Sequence, residues 1–232
     1  MNLKKLFLPL ACIVLAINIF AIIFQVELLQ ETSRLLFFVI PLVLFFQDLR
    51  FSNNNLLTFL LVFFFSELTI LLPDLWYFNI FKLLLLITAY LLLSREALRF
   101  TKKVKSNKFI LFFGGFLFLI NGYFFTLHFL KIREHPGSMA ELSIYALYYL
   151  SLLVLAIVAL IYYINSYSKK SVFFIALVLA IIFADIFENM QQIYLLDLGL
   201  SLVQNILHFA TAMLIFFFFT TKERRLNLRQ FL

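Results

Sequence analysis

Ile182-Phe183-Ala184-Asp185-Ile186-Phe187-Glu188-Asn189 sets two carboxylates and an amide inside the apolar reach from Phe173 to Thr220. An apolar stretch of roughly 20 residues is long enough to cross a hydrocarbon core about 30 Å thick. Charged side chains are costly at that depth and persist where they face a cavity, a partner or a substrate. The run therefore marks both the fold class and the place where function is to be sought.

The remainder of the chain agrees with a membrane reading. Of its 232 residues 64% are hydrophobic and only 13% charged, and the mean hydropathy is +1.03. A water-soluble globule of this size has no place for so much apolar surface. The apolar runs are continuous and lack the two-residue alternation of outer-membrane strands, so helices are the expected spanning element. The fold class predicted is an all-α integral membrane protein forming one polytopic domain over residues 1–232.

Apolar runs bounded by polar residues predict eight spans: 6–24, 35–46, 56–72, 78–93, 109–130, 142–164, 172–196 and 200–220. The second is short and contains Pro41, which leaves a re-entrant segment and a count of seven as the alternative. Basic residues collect on one side of this layout: Lys4 and Lys5, Arg50, the loop 94–108, Lys169 with Lys170, and the tail. The opposite side holds Arg34, Lys131 and Arg133. Cytoplasmic loops are the ones enriched in Lys and Arg, so both termini are predicted to be cytoplasmic, in the inner (cytoplasmic) membrane of a cell. The net charge of +7 is thereby assigned to topology and anionic headgroups rather than to nucleic acid. The basic loop 94–108 divides the spans into two sets of four and is too small to fold alone.

Cys12 is the one cysteine, which excludes an intramolecular disulfide and a multi-cysteine metal site. No metal and no cofactor are expected. The first apolar run is read as a retained helix rather than a cleaved signal, because it continues well past a signal-type core.

At about 1.5 Å per helical residue, Glu67, Asn121 and Asp185 fall roughly 16–20 Å from one boundary, and His208, on a helix running the other way, falls in the same layer. Helical spacing adds Glu188, Asn189 and Gln192 to the Asp185 face, and Gln204 and Thr211 to the His208 face. Gly114, Gly115 and Gly122 leave room for close packing or a ligand on the fifth span. Polar groups in such a layer serve either as glue between helices or as a site. Tyr145, Tyr148, Tyr149, Tyr162 and Tyr163 are read as interfacial anchors, and Lys82 as snorkelling or paired with Asp74.

Desolvation disfavours the charged form of a carboxyl group, which suits one carboxyl to general-acid work while a second, ionised one activates water. Acid-labile ether or acetal-like bonds in a lipid fit such a pair. No serine-nucleophile motif, phosphate loop or zinc helix is present to suggest another hydrolytic route. Ile40-Pro41-Leu42, Ser66-Glu67-Leu68-Thr69-Ile70-Leu71-Leu72-Pro73, Ala184-Asp185 and His208-Phe209-Ala210 together resemble the YhhN-like (lysoplasmalogenase) membrane protein family. Glu67 stands where that family has aspartate, Ser66 where it has glycine, Ala184 where it has serine and Ile40 where it has lysine, a divergent pattern.

The resemblance implies hydrolysis of the vinyl ether bond of a lysoplasmalogen or related ether lipid. Glu67 and Asp185 would be the catalytic carboxylates, with His208, Asn121, Glu188 and Asn189 in support. The partners expected are a lipid substrate or small amphiphile and the surrounding membrane lipids, with no nucleic acid. From a different class, a non-enzymatic carrier or sensor using the same polar layer for a proton, an ion or a small amphiphile is the alternative reading.

Overall fold

The computed structural model describes residues 3–48, 54–72, 75–101, 139–166, 168–193 and 198–223, together with scattered helical positions between Phe112 and Leu130. Among the described residues the secondary structure is entirely helical: α1 (Leu3–Ile23), α2 (Glu27–Asp48), α3 (Asn54–Leu68), α4 (Trp76–Phe100), α5 (Met139–Ser166), α6 (Lys169–Ile193) and α7 (Leu198–Thr220). A 3-10 turn, Thr69–Leu71, follows α3. Among the described residues four helices are long and apolar enough to cross a bilayer, over Tyr77–Phe100, Leu142–Ser166, Lys169–Glu188 and Leu198–Thr220, consistent with a helical membrane protein. Large apolar side chains stand outward on these helices, among them Phe81, Leu150, Phe183 and Ile206. Lipid accepts such faces and water does not.

The chain forms two compact units, one of residues 1–53 and 176–222 and the other of residues 54–175 and 223–232. In the first, α1 and α2 form a tight hairpin and both pack on α7. The hairpin closes by a Schellman motif: Val26 N–H donates to Ala21 O (2.9 Å) and Gln25 N–H to Ile22 O (3.2 Å). Gln25 holds the left-handed position with φ of 54°. Only residues 24–26 separate the helices, so α2 begins eight residues before the run expected from hydropathy. It is a helix of 22 residues, about 33 Å long at 1.5 Å per residue, rather than a short segment. Arg34, expected in a loop, lies within α2 and is buried.

In the second unit α4 packs on both α3 and α5. Leu83, Leu86, Tyr90, Leu93 and Ala97 of α4 and Tyr148, Leu152, Leu155, Ala159 and Tyr162 of α5 are buried at the three- and four-residue spacing of a helix seam. Tyr90 and Tyr148 bring their ring centroids to 6.1 Å, and Tyr162 meets Phe174 edge-on at 5.5 Å. Tyr148 and Tyr162 are thus core residues instead of interfacial anchors; the helix periodicity that places them on the seam outweighs the interfacial preference of tyrosine. Helix α4 continues to Phe100, so the first seven residues of the expected basic loop are helical. The fifth expected span lies largely outside the described residues, and those described in it are helical, with Phe112 and Leu119 well exposed.

Candidate functional site

The polar residues of the first unit meet near the end where α1 passes to α2 and α6 to α7. On α2, Arg34 lies seven residues from the start, about 10 Å along the helix; on α6, Glu188 lies five residues from the end, about 7 Å along it. The Arg34 guanidinium donates from Nη2 to Glu188 Oε2 at 3.2 Å, with the two side chains 7% and 21% exposed. The same carboxylate oxygen lies 3.6 Å from His208 Nε2. His208 is buried on α7, and Gln204, Asn205 and Thr211 are buried with it. Asp185, one turn before Glu188, is buried as well. A buried charge requires a partner, and Arg34 and Glu188 meet that requirement for each other.

Next to this group the α1–α2 hairpin carries a second polar contact. Asn18 is fully buried on α1 and donates from Nδ2 to Ser33 Oγ at 2.8 Å and to Gln30 O at 3.1 Å. Ser33 in turn donates to Gln30 O at 3.0 Å. These bonds fix the orientation of the amide and leave Asn18 Oδ1 as a buried acceptor without a donor among the described residues. Asn205 repeats the pattern: Nδ2 donates to Ser201 O at 2.8 Å, and Oδ1 meets no donor among the described residues.

Glu67 belongs to the second unit, where it is 3% exposed in the last turn of α3. Its neighbours satisfy the helix end through their hydroxyls. Ser66 donates to Phe63 O and Thr69 to Ser66 O, both at 2.6 Å, which ties the 3-10 turn to the helix. Glu67 and Asp185, the two carboxylates singled out from the sequence, are therefore each buried within a different unit. Asp185, Glu188 and His208 share one unit, and of these Glu188 and His208 are in direct proximity. Asn121 lies outside the described residues, as do the side chains of Asn189 and Gln192; the backbone at 189 and 192 is helical. Gly114 and Asp74 also fall outside them. A Cβ placed on Gly115 or Gly122 would meet nothing within 4 Å, so close helix packing does not account for these two glycines among the described residues.

A separate polar cluster closes the far end of the second unit. Glu96 of α4 accepts from Asn55 Nδ2 (3.0 Å) and from Arg99 Nη1 (3.2 Å). Glu223 accepts from the hydroxyls of Tyr162 and Ser166. Lys170 is buried with its ammonium 4.0 Å from the centroid of the Phe100 ring. Ser168 and Ser171 cap α6 reciprocally: Ser171 N–H donates to Ser168 Oγ (3.0 Å) and Ser168 N–H to Ser171 Oγ (3.1 Å).

Sequence reading misses two members of the first cluster, Asn205 and Arg34. A hydropathy window ends at a charge, and the partner that makes this charge tolerable lies 154 positions away. The available signal was the spacing of Ser33, Arg34, Phe37 and Phe38, which places them on one helical stripe. No group of three or more His, Cys, Asp and Glu side chains among the described residues is arranged to hold a metal ion. The chain matches no protein-family model, and neither the curated proteins nor the solved structures include a significant match to it.

Proposed function

We propose that this chain is an eight-span protein of the cytoplasmic membrane, with both termini on the cytoplasmic side, that hydrolyses an ether lipid by acid–base chemistry of the lysoplasmalogenase type. The observation that supports the reading best is the buried group on α6 and α7. Asp185 lies one turn from Glu188, whose carboxylate is held by Arg34 at 3.2 Å and approached by His208 at 3.6 Å. A buried carboxyl group beside such a polar cluster is suited to acid–base work. The motifs around Glu67 and Asp185 supply the reaction class by resemblance.

In that reaction a carboxyl group protonates the vinyl carbon remote from the ether oxygen, leaving an oxocarbenium ion. Water, losing a proton to the second carboxylate, adds to the charged carbon; the hemiacetal then collapses to an aldehyde and an alcohol as that second group returns its proton to the ether oxygen and the first carboxylate takes the hydroxyl proton. Each turnover consumes one water and returns both carboxyl groups to their starting states. By the resemblance the proton transfers would fall to Glu67 and Asp185, and Glu188 and His208 would maintain the polar environment beside Asp185.

Aldehyde release from a lysoplasmenyl lipid by purified protein in detergent is the test. Asp185→Asn and Glu67→Gln are each expected to reduce turnover by about a hundredfold or more, within the range of positioned acid–base groups, with the fold retained. Absence of turnover by the wild type across several headgroups would overturn the hydrolase reading.

A carrier or sensor for a proton, an ion or a small amphiphile is the second reading. It is favoured by the Arg34–Glu188 pair itself, because intramembrane ion pairs also mark ion pathways. Gradient-coupled flux in liposomes without lipid consumption is the result that would select it.

A further inference from the structure

We propose that Arg34 is a positioning residue for the acid–base site, acting through Glu188 and making no contact with the substrate. The inference rests on the hydrolase reading for its kinetic consequence and on geometry alone for its structural one.

Arg34 is 6% exposed within α2, so its charge is largely withdrawn from solvent and needs an internal partner. Glu188 Oε2 is such a partner, at 3.2 Å. Because His208 Nε2 approaches the same oxygen at 3.6 Å, the position of this one atom governs two neighbours at once. Glu188 belongs to the helical turn that follows Asp185, so the bond that holds it also steadies the turn carrying Asp185. A guanidinium is suited to this work: its planar donors fix the direction of the bond, and an ammonium on a flexible stem does not. Arg34 itself comes from α2, which pairs with α1 and packs on α7, a support that does not depend on α6, the helix carrying Asp185 and Glu188. The bond between Asn18 and Ser33 strengthens that support immediately beside Arg34.

The test combines infrared spectroscopy with kinetics on the full chain in detergent. Protein labelled with 13C-glutamate is compared as wild type, Glu188→Gln, Arg34→Met and Arg34→Lys; the Glu188→Gln spectrum assigns the Glu188 bands. In Arg34→Met the Glu188 carboxylate stretch is expected to move or to give way to a carbonyl band, and in Arg34→Lys to shift while persisting. In the kinetic arm Arg34→Met is expected to lower kcat by about a hundredfold, the order associated with misplacement by about 1 Å. KM should stay within about twofold, and Arg34→Lys should recover part of the loss.

Glu188 bands that are identical in wild type and Arg34→Met would overturn the proposal. So would a raised KM at unchanged kcat, which would make Arg34 a substrate-binding group. Where Arg34→Met does not fold, Arg34→Lys decides by the same two readouts: bands and kcat both unchanged would overturn the proposal. A wild type without turnover would remove the hydrolase reading while the infrared comparison still decides whether Arg34 positions Glu188.

Discussion

Arg34 and Glu188, 154 positions apart in the chain, share a hydrogen bond of 3.2 Å between largely buried groups. Removing one partner of such a pair leaves an uncompensated charge, whereas replacing both by apolar side chains of similar volume is often neutral or stabilising. Arg34→Met and Glu188→Met are each expected to cost about 3–5 kcal/mol, and the double substitution to recover most of that loss. Denaturant unfolding of the four proteins in one detergent measures the cycle. Losses that simply add in the double variant would mean that the two side chains are not coupled.

Asn205 carries the opposite sign. Among the described residues its Oδ1 is buried without a donor and its Nδ2 donates to Ser201 O, the carbonyl one helical turn back. A desolvated acceptor left unpaired costs about 1–3 kcal/mol, and an apolar side chain of the same size avoids that cost. Asn205→Leu is therefore expected to stabilise the protein by about 1 kcal/mol, seen as a higher unfolding midpoint. A lower midpoint would show that the amide oxygen is satisfied in the membrane-embedded protein.

These two sites also show what was legible in the chain. The long apolar helices were, because a run such as 142–164 admits no other stable state in lipid; the helix found, Met139–Ser166, exceeds it by three residues at one end and two at the other. The buried face of Gln204, His208 and Thr211 followed from spacing alone. Polar residues near helix ends mislead a local reading for a common reason. Arg34 and Glu96 look like boundaries in any local window, and what keeps each inside a helix is a partner on another: Glu188 for Arg34, Asn55 for Glu96. The allocation of Glu67 and Asp185 to different units was equally beyond a depth calculation, since depth along a helix says nothing of which helices pack together.

Gln25 supplies a prediction that concerns backbone rather than charge. It ends α1 with φ of 54°, the left-handed conformation in which a Cβ crowds the following carbonyl oxygen. The Schellman bonds from Gln25 and Val26 back to Ile22 and Ala21 require that conformation, and glycine adopts it without steric penalty. The Gln25 side chain is exposed, so its removal takes little packing from the hairpin. Gln25→Gly gains the strain relief and gives back part of it through the greater freedom of glycine in the unfolded chain, for a net stabilisation of roughly 0.5–1 kcal/mol. Gln25→Val, which adds β-branching at positive φ, is expected to destabilise by about 1 kcal/mol or more. Unfolding midpoints in the order Gly, Gln, Val would confirm that the turn is held in this geometry; a glycine variant less stable than the wild type would contradict it. Because the turn sets where α2 begins, it also sets the level at which Ser33 meets Asn18 and Arg34 meets Glu188. The valine variant is accordingly expected to weaken the Arg34–Glu188 coupling as well, measured by repeating the double-substitution cycle in that background.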